Sequence, residues 1–143
     1  MFVKPNLDHI DEIVNIENDI FDQPWSRYHF LSDIKKNVSY NIIYLEKSSC
    51  VGYIFGYIIE NEYHLNNIAV KKNYQKRGIA KKILHYVIEK LKDKNVGKIF
   101  LEVRCDNFAA IRLYELFGFE KKNIRKDYYK KGKDAILYNM DIK

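Results

Sequence analysis

Between an apolar strand and a long amphipathic helix lies the segment Tyr74-Gln75-Lys76-Arg77-Gly78-Ile79-Ala80, which restricts the fold of this chain more than any other stretch. Upstream, Leu65-Asn66-Asn67-Ile68-Ala69-Val70 reads as a strand that ends inside the protein. Downstream, Ile79, Ala80, Ile83, Leu84, Val87, Ile88 and Leu91 recur at three- and four-residue spacing, which predicts a helix burying one face. A strand, a short turn and a helix N-terminus gather backbone N–H groups that have no intrahelical partner, and the helix dipole adds roughly half a positive charge there. Gly78 lets an anion approach the backbone closely and Ala80 keeps the next turn slim. Lys76, Arg77, Lys81 and Lys82 add charge around it. The same residues also fit an ordinary helix start that contains a glycine. A Walker A loop is excluded, because no Gly-Lys-Ser/Thr closes the turn, and the glycine spacing of a Rossmann turn is missing.

With 143 residues, the chain is expected to form a single domain over 1–143, long enough for a hydrophobic core. Its 47% apolar and 15% aromatic content excludes a disordered chain. The longest apolar run, Val51 to Ile59, contains two glycines and reads as a buried strand, so no membrane association is expected. Met1-Phe2-Val3-Lys4-Pro5 lacks the apolar core of an export signal. Cys50 and Cys105 are too few for a disulfide framework. Neither they nor His9, His29, His64 and His85 show metal-ligand spacing. A cytoplasmic protein with reduced thiols and no metal is expected. Charge divides the chain: residues 1–70 hold 5 Lys and Arg against 10 Asp and Glu, residues 71–143 hold 20 against 9. The basic half suits a polyanionic ligand or a nucleic acid, and the acidic half suits a cationic acceptor.

Along the chain, a short opening strand precedes a helix near residues 7–21 carrying Ile10, Ile13, Val14, Ile20 and Phe21. Ser26 is placed to cap a second helix with Phe30, Leu31 and Ile34. Apolar runs near 40–47, 50–60 and 63–70 are separated by breaks short enough for hairpins, which predicts antiparallel strands. A helix near 78–94, a strand at 98–103, a helix near 107–117 and strands near 119–127 and 134–142 complete the order β-α-α-β-β-β-α-β-α-β-β. That is a mixed α/β (α+β) sheet with helices on it.

Gln75-x-x-Gly78-x-Ala80 resembles the Gln/Arg-x-x-Gly-x-Gly/Ala pyrophosphate loop of the GNAT superfamily of acyl-CoA-dependent N-acyltransferases, and the element order is similar to the GNAT fold. The resemblance implies acetyl-CoA as co-substrate. Its pyrophosphate would meet the backbone of Lys76, Arg77, Gly78, Ile79, Ala80 and Lys81. The strand edge Ile68-Ala69-Val70 would bond the pantetheine and the acetyl carbonyl. Lys71-Lys72 departs from the acidic or proline residues common before that loop.

Acyl transfer from a thioester needs a neutral amine, a stabilised oxyanion and a proton for the departing thiolate. Glu102 is a carboxylate within the apolar run Ile99-Phe100-Leu101-Glu102-Val103; strand alternation can equally point it at solvent or at Arg104. Tyr114 lies on the apolar face of its helix with Ala110, Leu113 and Phe117, as a core tyrosine would, and Asn107 is placed to cap that helix. Leu101-Glu102-Val103-Arg104, then Asn107-x-Ala109-Ala110-Ile111-x-Leu113-Tyr114-x-x-x-Gly118-Phe119, resembles the ribosomal-protein-alanine N-acetyltransferase branch of the superfamily. Phe21-x-x-Pro24-Trp25-Ser26 and Arg125-x-x-Tyr128-Tyr129 resemble its aromatic turn and closing hairpin. The resemblance implies Glu102 as general base, Tyr114 as general acid, Asn107 in contact with coenzyme A, and Tyr128 and Tyr129 near the acceptor amine. The acceptor would be a protein N-terminus, that of a ribosomal protein, with no direct nucleic acid required; no oligomeric state follows. A small-molecule amine is the alternative acceptor, and a non-catalytic basic module binding RNA or the ribosome is the alternative of another class. Cys105, with no histidine near it in sequence, is not expected to act as a nucleophile, since direct attack needs no acyl-enzyme.

Overall fold

A computed structural model describes residues 1–142. The order of elements is the one the sequence predicts. Strand β1 (Phe2–Val3) leads through a 3-10 turn (Leu7–His9) to helices α1 (Ile10–Ile20) and α2 (Arg27–Lys35). Strands β2 (Ile42–Glu46), β3 (Ser49–Ile59) and β4 (Glu62–Val70) follow as a meander. Then come α3 (Ile79–Asp93), β5 (Lys98–Arg104), α4 (Phe108–Leu116), β6 (Glu120–Lys130) and β7 (Lys133–Asp141). Local chemistry places the helix starts. Ser26 Oγ accepts from the His29 N–H at 3.1 Å, and Asn107 Oδ1 accepts from the Ala110 N–H at 3.3 Å. Each such cap stabilises its helix by about 1 kcal/mol. The predicted helix near 7–21 is shorter than expected, its first turn being 3-10 and capped by Asn6.

The strands form one seven-stranded sheet in the order β1-β2-β3-β4-β5-β7-β6. Only β4 and β5 run parallel, and every other neighbouring pair is antiparallel. Helix α3 lays Ile79, Ile83, Leu84, Val87, Ile88 and Leu91 into a core shared with Val51, Tyr63, Leu65, Ile99 and Tyr114. Burying such a side chain contributes roughly 1.5–3 kcal/mol. On the opposite face, α1 and α2 pack Ile10, Ile13, Ile16 and Phe30 against Ile43, Cys50, Tyr53, Phe55 and Ala69. That second core takes strand residues from β2, β3 and β4 but none from β5 or β7. One face of β5 is therefore left without a helix over it.

The feature that positions the site is a bulge. Phe55 pairs with Asn67 and Gly56 with Leu65, so Asn66 is an extra residue in β4. Three groups hold it. A Cβ at Gly56 would fall against the Tyr63 phenol and 2.6 Å from the His64 carbonyl oxygen. The Gly56 N–H donates to Asn41 Oδ1 at 3.0 Å, and the Tyr63 hydroxyl donates to the Tyr40 carbonyl at 2.9 Å. Pairing between β4 and β5 stops at the same level. Glu62 to Leu65 lie beside Lys98 to Leu101, and beyond Leu101 the two strands part. The sheet thus opens as a V, with β4 on one arm and β5 on the other.

Candidate active site

The β4 arm carries an open edge. Ile68, Ala69 and Val70 pair with Ile54, Tyr53 and Gly52 of β3, and their other edge faces the gap left by β5. The chain then passes through a 3-10 turn (Lys72–Tyr74) into the start of α3. Gln75 Nε2 donates to the Val70 carbonyl at 2.9 Å, tying the loop to the end of the strand. Left-handed backbone at Lys76 (φ 64°) and Gly78 (φ 78°) brackets Arg77. Alternation of hand turns successive N–H groups toward one side, the arrangement that makes an anion-binding concavity. Among the described residues, the N–H groups of Lys76 to Lys81 find no protein acceptor, the first bond of the helix being Lys82 N–H to the Gly78 carbonyl. Apart from the adjoining chain, no described residue comes within 4 Å of where a Gly78 Cβ would stand, so the space beside these donors is open. Lys76, Lys81 and Lys82 are exposed, and Arg77 lies 5.0 Å from the Tyr74 ring centroid. The loop residues singled out in the sequence, Lys76 to Lys81 with Ile68 to Val70, therefore share one arm of the V.

The other arm supplies the titratable groups. Glu102 follows Leu101, the last β5 residue paired with β4, and alternates outward between buried Leu101 and Val103, onto the face that no helix covers. Its side chain is 32% exposed and lies 3.4 Å from Arg125 of β6. Of the readings the sequence left open, alternation toward solvent holds, and the ion-pair partner is Arg125 rather than Arg104. Arg104 instead spans the cleft mouth. It donates to Asp22 of the α1–α2 loop at 3.0 Å and to Asp106 at 2.9 Å, and Lys133 reaches Asp106 at 3.0 Å. Those hydrogen bonds from Arg104 and Lys133 hold the Asp106 carboxyl well below the usual carboxylate range.

Tyr114 is buried at 4% exposure, between Phe119 and Tyr138. Among the described residues its hydroxyl has no hydrogen-bond partner, yet no buried side-chain oxygen among them lacks one. The hydroxyl is therefore the part of the residue that reaches the cleft, whose lining includes Glu102, Asn107, Tyr114 and Tyr129. Burial pushes the Tyr114 phenol well above its ordinary value, and the neighbouring Tyr129 adds to the shift. Tyr129 is pushed up to about 12 by burial and then by the Glu102 charge. Both phenols keep their protons through neutral pH and remain donors. Asn107 caps α4 and also lines the cleft, so the structural reading of this residue holds. Tyr128 is not among the residues lining the cleft; it is 51% exposed, with Arg125 5.4 Å from its ring centroid.

Sequence reasoning missed Glu17, Asn67 and the Arg104 clamp, all of which border the cleft. Glu17 had a signal. It falls on the apolar stripe of α1, seven residues after Ile10 and four after Ile13, where a charged residue is out of place. The Arg104–Asp22 pair joins residues 82 apart and has no local signature.

Fold and cleft together present an open strand edge and a helix N-terminus on one arm of a split sheet and titratable groups on the other, an arrangement suited to group transfer. The sequence model of the acetyltransferase (GNAT) family matches residues 10–119. A ribosomal protein bS18-alanine N-acetyltransferase of Escherichia coli is 33% identical over 122 residues, 83% of this chain and 82% of that protein. An N-alpha-acetyltransferase of Saccharolobus solfataricus is 32% identical over 144 residues, 92% of this chain and 86% of that protein. The crystal structure of the ribosomal-protein-S18-alanine N-acetyltransferase from Escherichia coli superposes with a TM-score of 0.93 at 29% identity, covering 99% of this chain and 93% of that one. This chain belongs to the acetyltransferase (GNAT) family and is an acetyl-CoA-dependent N-acetyltransferase.

The loop assignment has a direct test. Gly78→Val puts a branched side chain into the open space before the helix N-terminus, at a φ that costs a non-glycine residue roughly 1–2 kcal/mol. Calorimetric titration should show acetyl-CoA affinity falling about tenfold or more, because an anion contact at a helix N-terminus is worth on the order of 1–2 kcal/mol. Unchanged affinity in the folded variant refutes the loop as the pyrophosphate site.

Proposed function

We propose that the protein transfers the acetyl group of acetyl-CoA to the N-terminal α-amine of a protein, the N-terminal alanine of a small-subunit ribosomal protein. Glu102 acts as general base and Tyr114 as general acid in a direct attack. The observation that carries this reading is the convergence of Glu102 from β5 and the Tyr114 hydroxyl from α4 on one cleft, where β4 and β5 part. The two relatives named above that act on a bS18 alanine and on α-amines support the choice of acceptor.

The coenzyme enters along the β4 arm. Its pyrophosphate lies over the N–H groups of Lys76 to Lys81, and its thioester lies beside Ile68 to Val70. Asn107 contacts it from the start of α4. The amine comes in from the β5 side, between the α1–α2 loop and the β6–β7 hairpin. An α-amine has a pKa near 7.7–8.0, so on the order of a tenth is neutral at pH 7, against well below a thousandth of a lysine side chain. A modest carboxylate base therefore suffices. As the carbonyl carbon becomes tetrahedral, the open β4 edge offers N–H groups to the oxyanion. The C–S bond then breaks, the amide forms, and the sulfur leaves with a proton. Burial keeps the Tyr114 phenol protonated, so it always has a proton to offer the departing sulfur. As general acid it gives that proton to the sulfur as the C–S bond breaks, and the proton that Glu102 took from the amine restores the phenol.

Mass spectrometry of the host's small ribosomal proteins, with and without this gene, tests the acceptor. One N-terminal alanine should be acetylated only when the gene is present. Identical N-termini in the two strains refute it.

A further inference from the structure

We propose that Glu17 is a positioning residue for the acceptor, a carboxylate that fixes the α1–α2 loop against the β4 bulge and thereby sets the acceptor wall of the cleft. Glu17 is 2% exposed. It accepts from the Tyr53 hydroxyl at 2.6 Å and from Asn67 Nδ2 at 2.8 Å on one oxygen, and from the Trp25 backbone N–H at 2.9 Å on the other. No lysine, arginine or histidine pairs with it among the described residues. Every neighbour is a donor, so each bond is charge-assisted and about twice as strong as a neutral one.

The bonds run to separate segments. Trp25 belongs to the α1–α2 loop, Tyr53 to β3, and Asn67 to β4 directly after the bulge residue Asn66. Glu17, Trp25, Asn66 and Asn67 all line the cleft that holds Glu102 and Tyr114. An isoleucine would serve the stripe of Ile10, Ile13 and Ile16 without the cost of desolvating a carboxylate. A carboxylate there does what an apolar side chain cannot. It ties the loop that borders the incoming amine to the strand that carries the acyl group. The loop is tethered further out as well, by Arg104 to Asp22 and by Trp25 stacked on His29 at 3.7 Å. Glu17 is its inner anchor.

The inference rests on the cleft's role as acceptor site, and the experiment separates the two. Trp25 is the chain's single tryptophan, so its fluorescence reports the loop without any acceptor present. In Glu17→Gln the amide nitrogen replaces one acceptor oxygen, so one anchor bond is lost and the charge is gone. Acrylamide quenching of Trp25 should increase. KM for a peptide beginning with alanine should rise about 10–100-fold, as expected for losing a hydrogen bond to a charged group, with kcat and acetyl-CoA affinity held within about twofold. Unchanged quenching, or an unchanged acceptor KM beside altered quenching, overturns the proposal, as does a loss of acetyl-CoA affinity as large as the rise in KM. Asn67→Ala cuts the tie to β4 alone and should raise the same KM. If Glu17→Gln does not fold, an unchanged KM in Asn67→Ala overturns the proposal instead. A wild-type enzyme that turns over no alanine peptide sinks the proposed acceptor, and Glu17 is then judged on Trp25 quenching.

Discussion

Glu102→Gln is expected to lower turnover by about 10²–10⁴-fold at pH 7, the usual range for a general base, with acetyl-CoA affinity nearly unchanged. The glutamine keeps the shape of the side chain, and its position outward of buried Leu101 and Val103 asks nothing of the core. What disappears is the ability to take a proton from the attacking amine. The ion pair with Arg125, 3.4 Å away on a half-exposed arginine, is lost as well, but a pair that open to water contributes little to stability. The deficit should shrink as pH rises through the amine's own pKa near 8, because the acceptor then becomes neutral without help. A pH–rate profile of the variant against wild type measures this. Wild-type turnover at pH 7 would show that the base lies elsewhere.

Tyr114→Phe should cut turnover by about 10²-fold or more while melting temperature and acetyl-CoA affinity hold nearly steady. The ring stays between Phe119 and Tyr138. The hydroxyl has no partner among the described residues to leave unsatisfied, so stability should change by no more than about 1 kcal/mol. Since burial raises the phenol's pKa, the wild-type enzyme should show no loss of rate from Tyr114 ionisation between pH 7 and 9. Unimpaired turnover in the phenylalanine variant, or activity lost only through unfolding, would leave Tyr114 a core residue.

Much of the fold can be read from the chain because its causes are local. The stripe of α3, the caps at Ser26 and Asn107 and the two-residue turns between β2, β3 and β4 each depend on residues a few positions apart. The acyl-donor arm is similarly local, since strand end, loop and helix start are contiguous. The acceptor arm is not. Glu102 looks enclosed in sequence because Phe100, on its face, is apolar. Only the placement of α1 and α2 over β2 to β4 reveals that this face is open. The V itself arises from a register shift between Phe55 and Gly56, set by contacts with Tyr63 and Asn41 that no periodicity announces. Lys133 and Asp22 meet around Arg104 and Asp106 only once the sheet has formed.

The extra residue in β4 also decides which side chains face which helix. Before it, Tyr63 and Leu65 point toward α3. After it, Val70 points the same way, while Asn67 and Ala69 point toward α1. In a strand, side chains alternate strictly, so shifting the chain by one residue sends every later side chain to the opposite face. A β4 of the same length paired regularly through Asn66, without the bulge, would therefore lose more than the gap between two strands. It would swing Asn67 away from Glu17 and drive Val70 out of the core that holds α3, moving the start of that helix with it. The bulge thus keeps the opening of the sheet, the anchoring of the loop and the seating of α3 in step.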